Sequence, residues 1–165
     1  MMPLGHVGIP LFVLLFKDDM DFDVRLLVLG GLLPDIIDKP LGHLILPENN
    51  GRIFAHTLLF AVMVLISAMI WRRLVPLSLG VSGHLLLDGM FLEPRSALWP
   101  LFGGFPSTDY DVIDWIHAYL EPYVIAEEAV GLLMILAVVW RFRLFKWSNI
   151  RQILASGRTG SRPNQ

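Results

Sequence analysis

Apolar residues dominate five stretches of the chain: Leu4–Phe16, Val24–Ile37, about Phe54–Leu74, about Pro76–Leu92 and about Tyr123–Trp140. Positions 56–71 hold no formal charge apart from any on His56, and positions 129–140 hold none. With their flanks, both runs approach the roughly 20 residues a helix needs to cross a bilayer. The first two stretches are shorter, and Gly30, Gly31 and Pro34 interrupt the second. They are expected to tilt, to pack against longer helices or to enter only part way.

The segment between the fourth and fifth stretches, EPRSALWPLFGGFPSTDYDVIDWIHAYLEP, is rich in proline, glycine and aromatics. That composition predicts a structured loop at a membrane surface. Thr108 followed by Asp111 resembles a capping box. Val112, Ile113, Ile116 and Leu120 then follow at helical spacing, which predicts a short interfacial helix anchored by Trp115. Together these elements predict an all-α protein, a polytopic transmembrane bundle of about 4–5 hydrophobic helices. Residues 1–147 are expected to form one membrane-embedded domain and 148–165 a flexible tail.

Composition sharpens this picture. Of 165 residues 55% are hydrophobic and only 17% charged, against about 25% charged in an average soluble domain. Mean hydropathy is +0.60. No cysteine is present, which excludes disulfides and thiolate metal ligands. The N-terminus lacks a basic region and a small-residue cleavage site, unlike a removable signal peptide. With a net charge of −2 and no dense basic patch, nucleic acid is not an expected partner. Basic residues gather at Arg72/Arg73 and at Arg141/Arg143/Lys146. The positive-inside rule places those ends in the cytoplasm, giving a multi-pass protein of the cytoplasmic (inner) membrane, surrounded by membrane lipids.

Few polar residues interrupt the apolar stretches, and they are chemically of one kind. His84 and Asp88 lie four apart, Asp35 and Asp38 three apart, and His56 and His6 each stand near the start of an apolar run. A charged side chain at mid-membrane depth costs roughly 2.5–3.5 kcal/mol on insertion scales. Aspartates and histidines in that setting are the ligand set of a divalent metal site: zinc first, with manganese or iron as alternatives. Alternating the helices from their basic ends brings His6, Asp35, Asp38, His56, His84 and Asp88 to one level. Gly83 and Gly89 are expected to allow close helix approach there. Such a centre most readily supports hydrolysis through a metal-bound hydroxide. Asp35, His84 and Asp88 are then the expected catalytic residues, with Arg52 as a clamp for an anionic substrate; Arg95 is a weaker candidate.

Read together, PDIID, AHTLLF, GHLLLD and the Trp-Pro of ALWPLFG resemble the YdjM-like family of LexA-binding inner membrane-associated hydrolases. The family's N-terminal His, Pro-Asp-x-Asp, Thr-His-Ser, His-x-x-x-Asp and Trp-Pro elements fall on His6, Pro34–Asp38, Ala55–Thr57, His84/Asp88 and Trp99–Pro100. Two residues separate the aspartates here rather than one, and Gly51 and Ala55 replace a family histidine and threonine. The resemblance implies a metal-dependent hydrolase. A weaker likeness to zinc-dependent phospholipase C points toward a lipid-like phosphoester.

Blander readings stand beside these. His43 and His117 are expected to be structural or interfacial. Glu127 and Glu128 open the fifth helix, where negative charge suits the helix dipole; ligation or general-base work by one of them is the less favoured alternative. A rival from another class is a non-catalytic membrane protein whose His/Asp cluster binds or conducts an ion or stabilises the bundle.

Overall fold

The structure, a computed structural model, describes residues 3–16, 23–46, 50–107 and 117–159. Among them every regular element is helical. Helix α1 spans Pro3–Leu11 and tightens into a 3-10 turn at Phe12–Leu15; α2 spans Val24–Pro40 and ends in a π-turn at Leu41–Ile45. Helices α3 (Leu58–Ile70) and α4 (Val75–Leu87) form a hairpin, and a short α5 (Pro94–Ala97) follows. Helix α6 spans Pro122–Arg141 and α7 spans Trp147–Ser156. The predicted capping box and most of the predicted interfacial helix lie outside the described residues; positions 117–120 are helical.

Helix α2 is the axis of the fold. It packs along α4 and touches α1, which in turn lies along α6, while α3 rests on α4. Two crossings bring backbones into contact. A Cβ on Gly8 would land on the Gly131 carbonyl, and one on Gly80 would land on the Leu27 carbonyl. The tight approach therefore sits at Gly8/Gly131 and Gly30/Gly80. At the expected Gly83, an added Cβ would make only an ordinary contact with Pro10. Gly89 instead ends α4, with φ +64° just after the last helical residues.

Of the described helices only α6 is long and apolar enough to cross a membrane. At 1.5 Å per residue it reaches about 30 Å, the thickness of a hydrocarbon core. The apolar run at 54–74 predicted a second full span, but its helix covers only Leu58–Ile70, about 20 Å. Thr57 caps that helix by accepting from the Phe60 amide, and Trp71 breaks it at the other end. Four or five full spans therefore do not follow from the helix lengths. Residues from 148 on, expected to be a flexible tail, are helical to Ser156. Gly157 beyond them accepts from the Val24 amide at 2.7 Å, and the Leu154 carbonyl accepts from Arg25 Nη1 at 2.7 Å.

Two apolar clusters hold the bundle. Leu11, Leu14, Val24, Leu27 and Val138 join α1, α2 and α6 at the basic end. Ala55, Phe60 and Val81, flanked by Leu33, Ile37 and Leu85, underlie the opposite end. That second cluster supports the buried polar residues.

Candidate metal centre

The centre is built outward from Asp38. This residue lies in the last turn of α2 and is fully buried, and the loop 50–57 folds around it. Its Oδ2 accepts from the Ile53 and His56 amides at 2.9 and 3.0 Å, and its Oδ1 from the Ala55 amide at 2.9 Å. His56 Nδ1 lies 2.7 Å from Oδ2. Both oxygens are thus occupied, as a buried carboxylate requires. Asp38, expected as a ligand, turns toward the loop and holds His56 instead.

That contact fixes the imidazole. To donate to a carboxylate, Nδ1 of His56 carries the proton, and in the neutral form of that ring the Nε2 lone pair turns inward. His84 is set in the same way. Its Nδ1 lies 2.7 Å from the Gly31 carbonyl, which can only accept. Pro34 has no amide to offer the Gly30 carbonyl one residue earlier, so the α2 ladder is already interrupted beside this acceptor. The two Nε2 atoms face each other at 3.2 Å.

Two carboxylates close the ring. Asp35 Oδ1 lies 3.6 Å from His56 Nε2 and 3.8 Å from His84 Nε2. Asp88 Oδ2 lies 3.3 and 3.8 Å from the same atoms. Both oxygens are buried and accept no hydrogen bond. With both rings neutral and protonated at Nδ1, two lone pairs and two anionic oxygens converge there. Ligands about 2.0–2.1 Å from a tetrahedral zinc stand about 3.3–3.4 Å from one another. The two Nε2 atoms stand 3.2–3.8 Å from each other and from each carboxylate oxygen, close to that spacing, and Asp35, His56 and His84 form one grouping that could hold a metal ion. The donor set, two imidazoles and two carboxylates, also suits manganese or iron.

His6 joins from α1. Its Nε2 lies 3.0 Å from Asp88 Oδ1, the oxygen turned away from the two other histidines, and its ring packs 4.3 Å from that of His84. Its donor atom falls within 4.8 Å of those of His84 and Asp88, a second grouping able to hold a metal. On its far side Nδ1 lies 3.5 Å from Glu127 Oε1. Glu128 accepts from the Leu4 and Gly5 amides at 3.3 and 2.7 Å, capping α1 rather than its own helix.

Two cations rim the cluster. Lys39 Nζ holds Asp35 Oδ2 at 2.9 Å, and Arg52 Nε lies 3.4 Å from Asp88 Oδ2 with its side chain 38% exposed. Asn50 ties the loop down, accepting from the Arg52 amide and donating to the Pro106 carbonyl. Trp99 stacks on Phe105 and meets Phe54 edge-on, so the Trp-Pro loop covers the loop that carries His56. His43 lies beside Gly51 on the turn after α2; Arg95 and His117 are exposed.

Residues 1–153, nearly the whole chain, match the family model described as YdjM inner membrane protein. The chain belongs to the YdjM inner membrane protein family. No curated protein and no solved structure matches it. Membership agrees with α6 as a candidate span, and the matched region contains every residue of the cluster.

Proposed function

We propose that this YdjM-family protein is a membrane-embedded, divalent-metal-dependent hydrolase of phosphoesters carried by lipids or lipid-like amphiphiles. The observation that carries the reading is the convergence of the His56 and His84 Nε2 atoms, each ring held with its Nδ1 2.7 Å from an acceptor, with one oxygen each of Asp35 and Asp88. Asp35, His56, His84 and Asp88 hold the cation, zinc before manganese or iron. When bound, such an ion lowers the pKa of coordinated water toward neutrality and polarises a phosphoryl oxygen. Asp38 and the Gly31 carbonyl keep the two imidazoles in the ligating tautomer. His6 holds Asp88 from behind. Arg52, half-exposed at the rim, is the group that meets an incoming phosphate, and its planar fork suits bidentate contact.

Membrane lipid as the source of substrate is supported by the surface around this end. Leu44, Ile45, Leu58, Leu92, Leu101 and Phe102 are all exposed there. Soluble monomers rarely expose apolar area on this scale. The remainder of α3 exposes Leu65, Ile66, Met69 and Ile70, which supports lipid contact for this shorter helix and a multi-pass arrangement in which it spans incompletely.

The test is turnover of phosphodiester and phospholipid substrates in detergent supplemented with zinc or manganese. Wild type is expected to hydrolyse at least one. His84→Ala and Asp88→Ala are expected to be inactive while keeping their helical circular dichroism, and Arg52→Ala to raise KM more than it lowers kcat. Equal inactivity of wild type and variants across the panel would remove the catalytic reading.

A further inference from the structure

Helix α7 is amphipathic, and the bundle covers only part of its apolar face. Ile150 and Ile153 are half-buried and Gly157 beyond them is buried. Trp147, Arg151 and Leu154 share the adjoining face at i, i+4 and i+7 and stay exposed, Trp147 by 64% and Leu154 by 60%. Ser148, Gln152 and Ser156 make up the polar side. The helix is also pinned at both ends. Asn149 Nδ2 donates to the Phe142 and Arg143 carbonyls at 3.0 and 3.1 Å, tying its start to the end of α6. The Leu154 and Gly157 carbonyls accept from Arg25 Nη1 and the Val24 amide, tying its end to the start of α2. The end of α6 and the start of α2 meet in one apolar cluster, through Val138, Val24 and Leu27. A helix of about 15 Å that bridges them lies across the basic end of the bundle.

A helix held there sits at the water boundary of a bilayer that α6 crosses. Trp140, Phe145 and Trp147 are exposed around the junction of α6 and α7, the aromatic signature of that boundary. Charge selects what covers the bare face. Beyond Glu128 the chain carries six basic residues and no acidic one, and Arg143, Lys146 and Arg151 are exposed. Asp23, the carboxylate beside Gly157, is already paired with Arg25. We propose that α7 is an interfacial helix for anionic phospholipid. Trp147 and Leu154 enter the boundary between headgroups and acyl chains, and Arg143, Lys146 and Arg151 meet the headgroup phosphates. The inference uses α6 as the span and is independent of the metal reading.

Because the chain has no cysteine, Leu154→Cys and Gln152→Cys each place a single nitroxide label on the full protein. Both are reconstituted in vesicles of phosphatidylcholine alone and of phosphatidylcholine mixed equally with phosphatidylglycerol. Collision with oxygen, against collision with a water-soluble nickel chelate, reports depth. In the mixed vesicles the label at 154 is expected to favour oxygen and the label at 152 the nickel chelate. In phosphatidylcholine alone the label at 154 becomes shallower. Arg143→Gln, Lys146→Gln and Arg151→Gln together are expected to abolish that response to phosphatidylglycerol. Raising salt from about 0.1 to about 1 M, where the screening length falls from about 10 to about 3 Å, is expected to weaken it. Should the triple variant fail to keep its helical circular dichroism, the salt series decides on the native charges. Equal nickel access at 152 and 154 in the mixed vesicles, or equal depth in the two lipids, would overturn the proposal. So would dipolar broadening at 154 that dilution with unlabelled chain removes, since it would give the face to a second copy.

Discussion

The two ends of the bundle treat their charged groups in opposite ways. At the basic end Arg25 and Asp23 pair at the surface, their side chains 43% and 25% exposed, where water shares the electrostatic burden. Surface pairs of this kind contribute little. At the other end Asp38, His56 and His84 are fully buried, and Asp88 nearly so. Burial of such groups is tolerated only when each is paired or hydrogen-bonded. Asp38 meets that condition completely, whereas Asp35 and Asp88 each leave one oxygen without a hydrogen bond. Ion pairs alone therefore do not mark the site. The mark is a buried shell satisfied on its outside and unsatisfied at its centre.

The sharpest way to break the contrast is Asp38→Ala. Three backbone amides and one imidazole nitrogen lose their acceptor at once, in a place water does not reach. The expected cost is about 3–5 kcal/mol, the usual penalty for breaking a buried charged contact, read as a lower midpoint in thermal or denaturant melts. Bound metal is lost with it. Gly80→Ala is next: its Cβ would press on the α2 backbone, and about 1–3 kcal/mol is expected.

The basic end is expected to yield less. Gly157 has φ +72°, and an added Cβ would meet the Asp23 carboxylate, so Gly157→Ala should cost about 1 kcal/mol of stability, read as a lower melting temperature. Metal content should not change. Smallest is the pH response of Asp23. Its hydrogen bond to the Arg25 side chain holds the carboxyl below its ordinary 3.8. The depressed value means this stabilisation is present above pH 3.8 and fades as pH falls below it. Arg25→Ala should abolish that segment of the acid titration of stability and leave the rest of the curve in place.

Much of this was legible in the sequence, for identifiable reasons. Helix α6 was read to within a residue at each end because no charge interrupts its second half. His84 and Asp88, four apart on one helix, had to share a face. The limits came from contacts between distant segments. Spacing put Asp35 and Asp38 on one side of α2, but only the fold of loop 50–57 separates a carboxylate facing the centre from one facing the loop. The run at 54–74 looked like one helix because hydropathy ignores that the amides at 53, 55 and 56 wrap a carboxylate. Glu127 carried no signal beyond a negative charge at a helix start, since its neighbour His6 lies on a different helix. Likewise, the helix at Trp147–Ser156 was hidden behind a polar, glycine-bearing tail.

Elemental analysis of the protein, extracted under mild conditions without chelator, tests the central claim most directly. Wild type and Gly157→Ala should retain a stoichiometric divalent metal, and His56→Ala and His84→Ala should lose it while remaining helical. A wild-type protein with no more metal than those two variants would contradict the account.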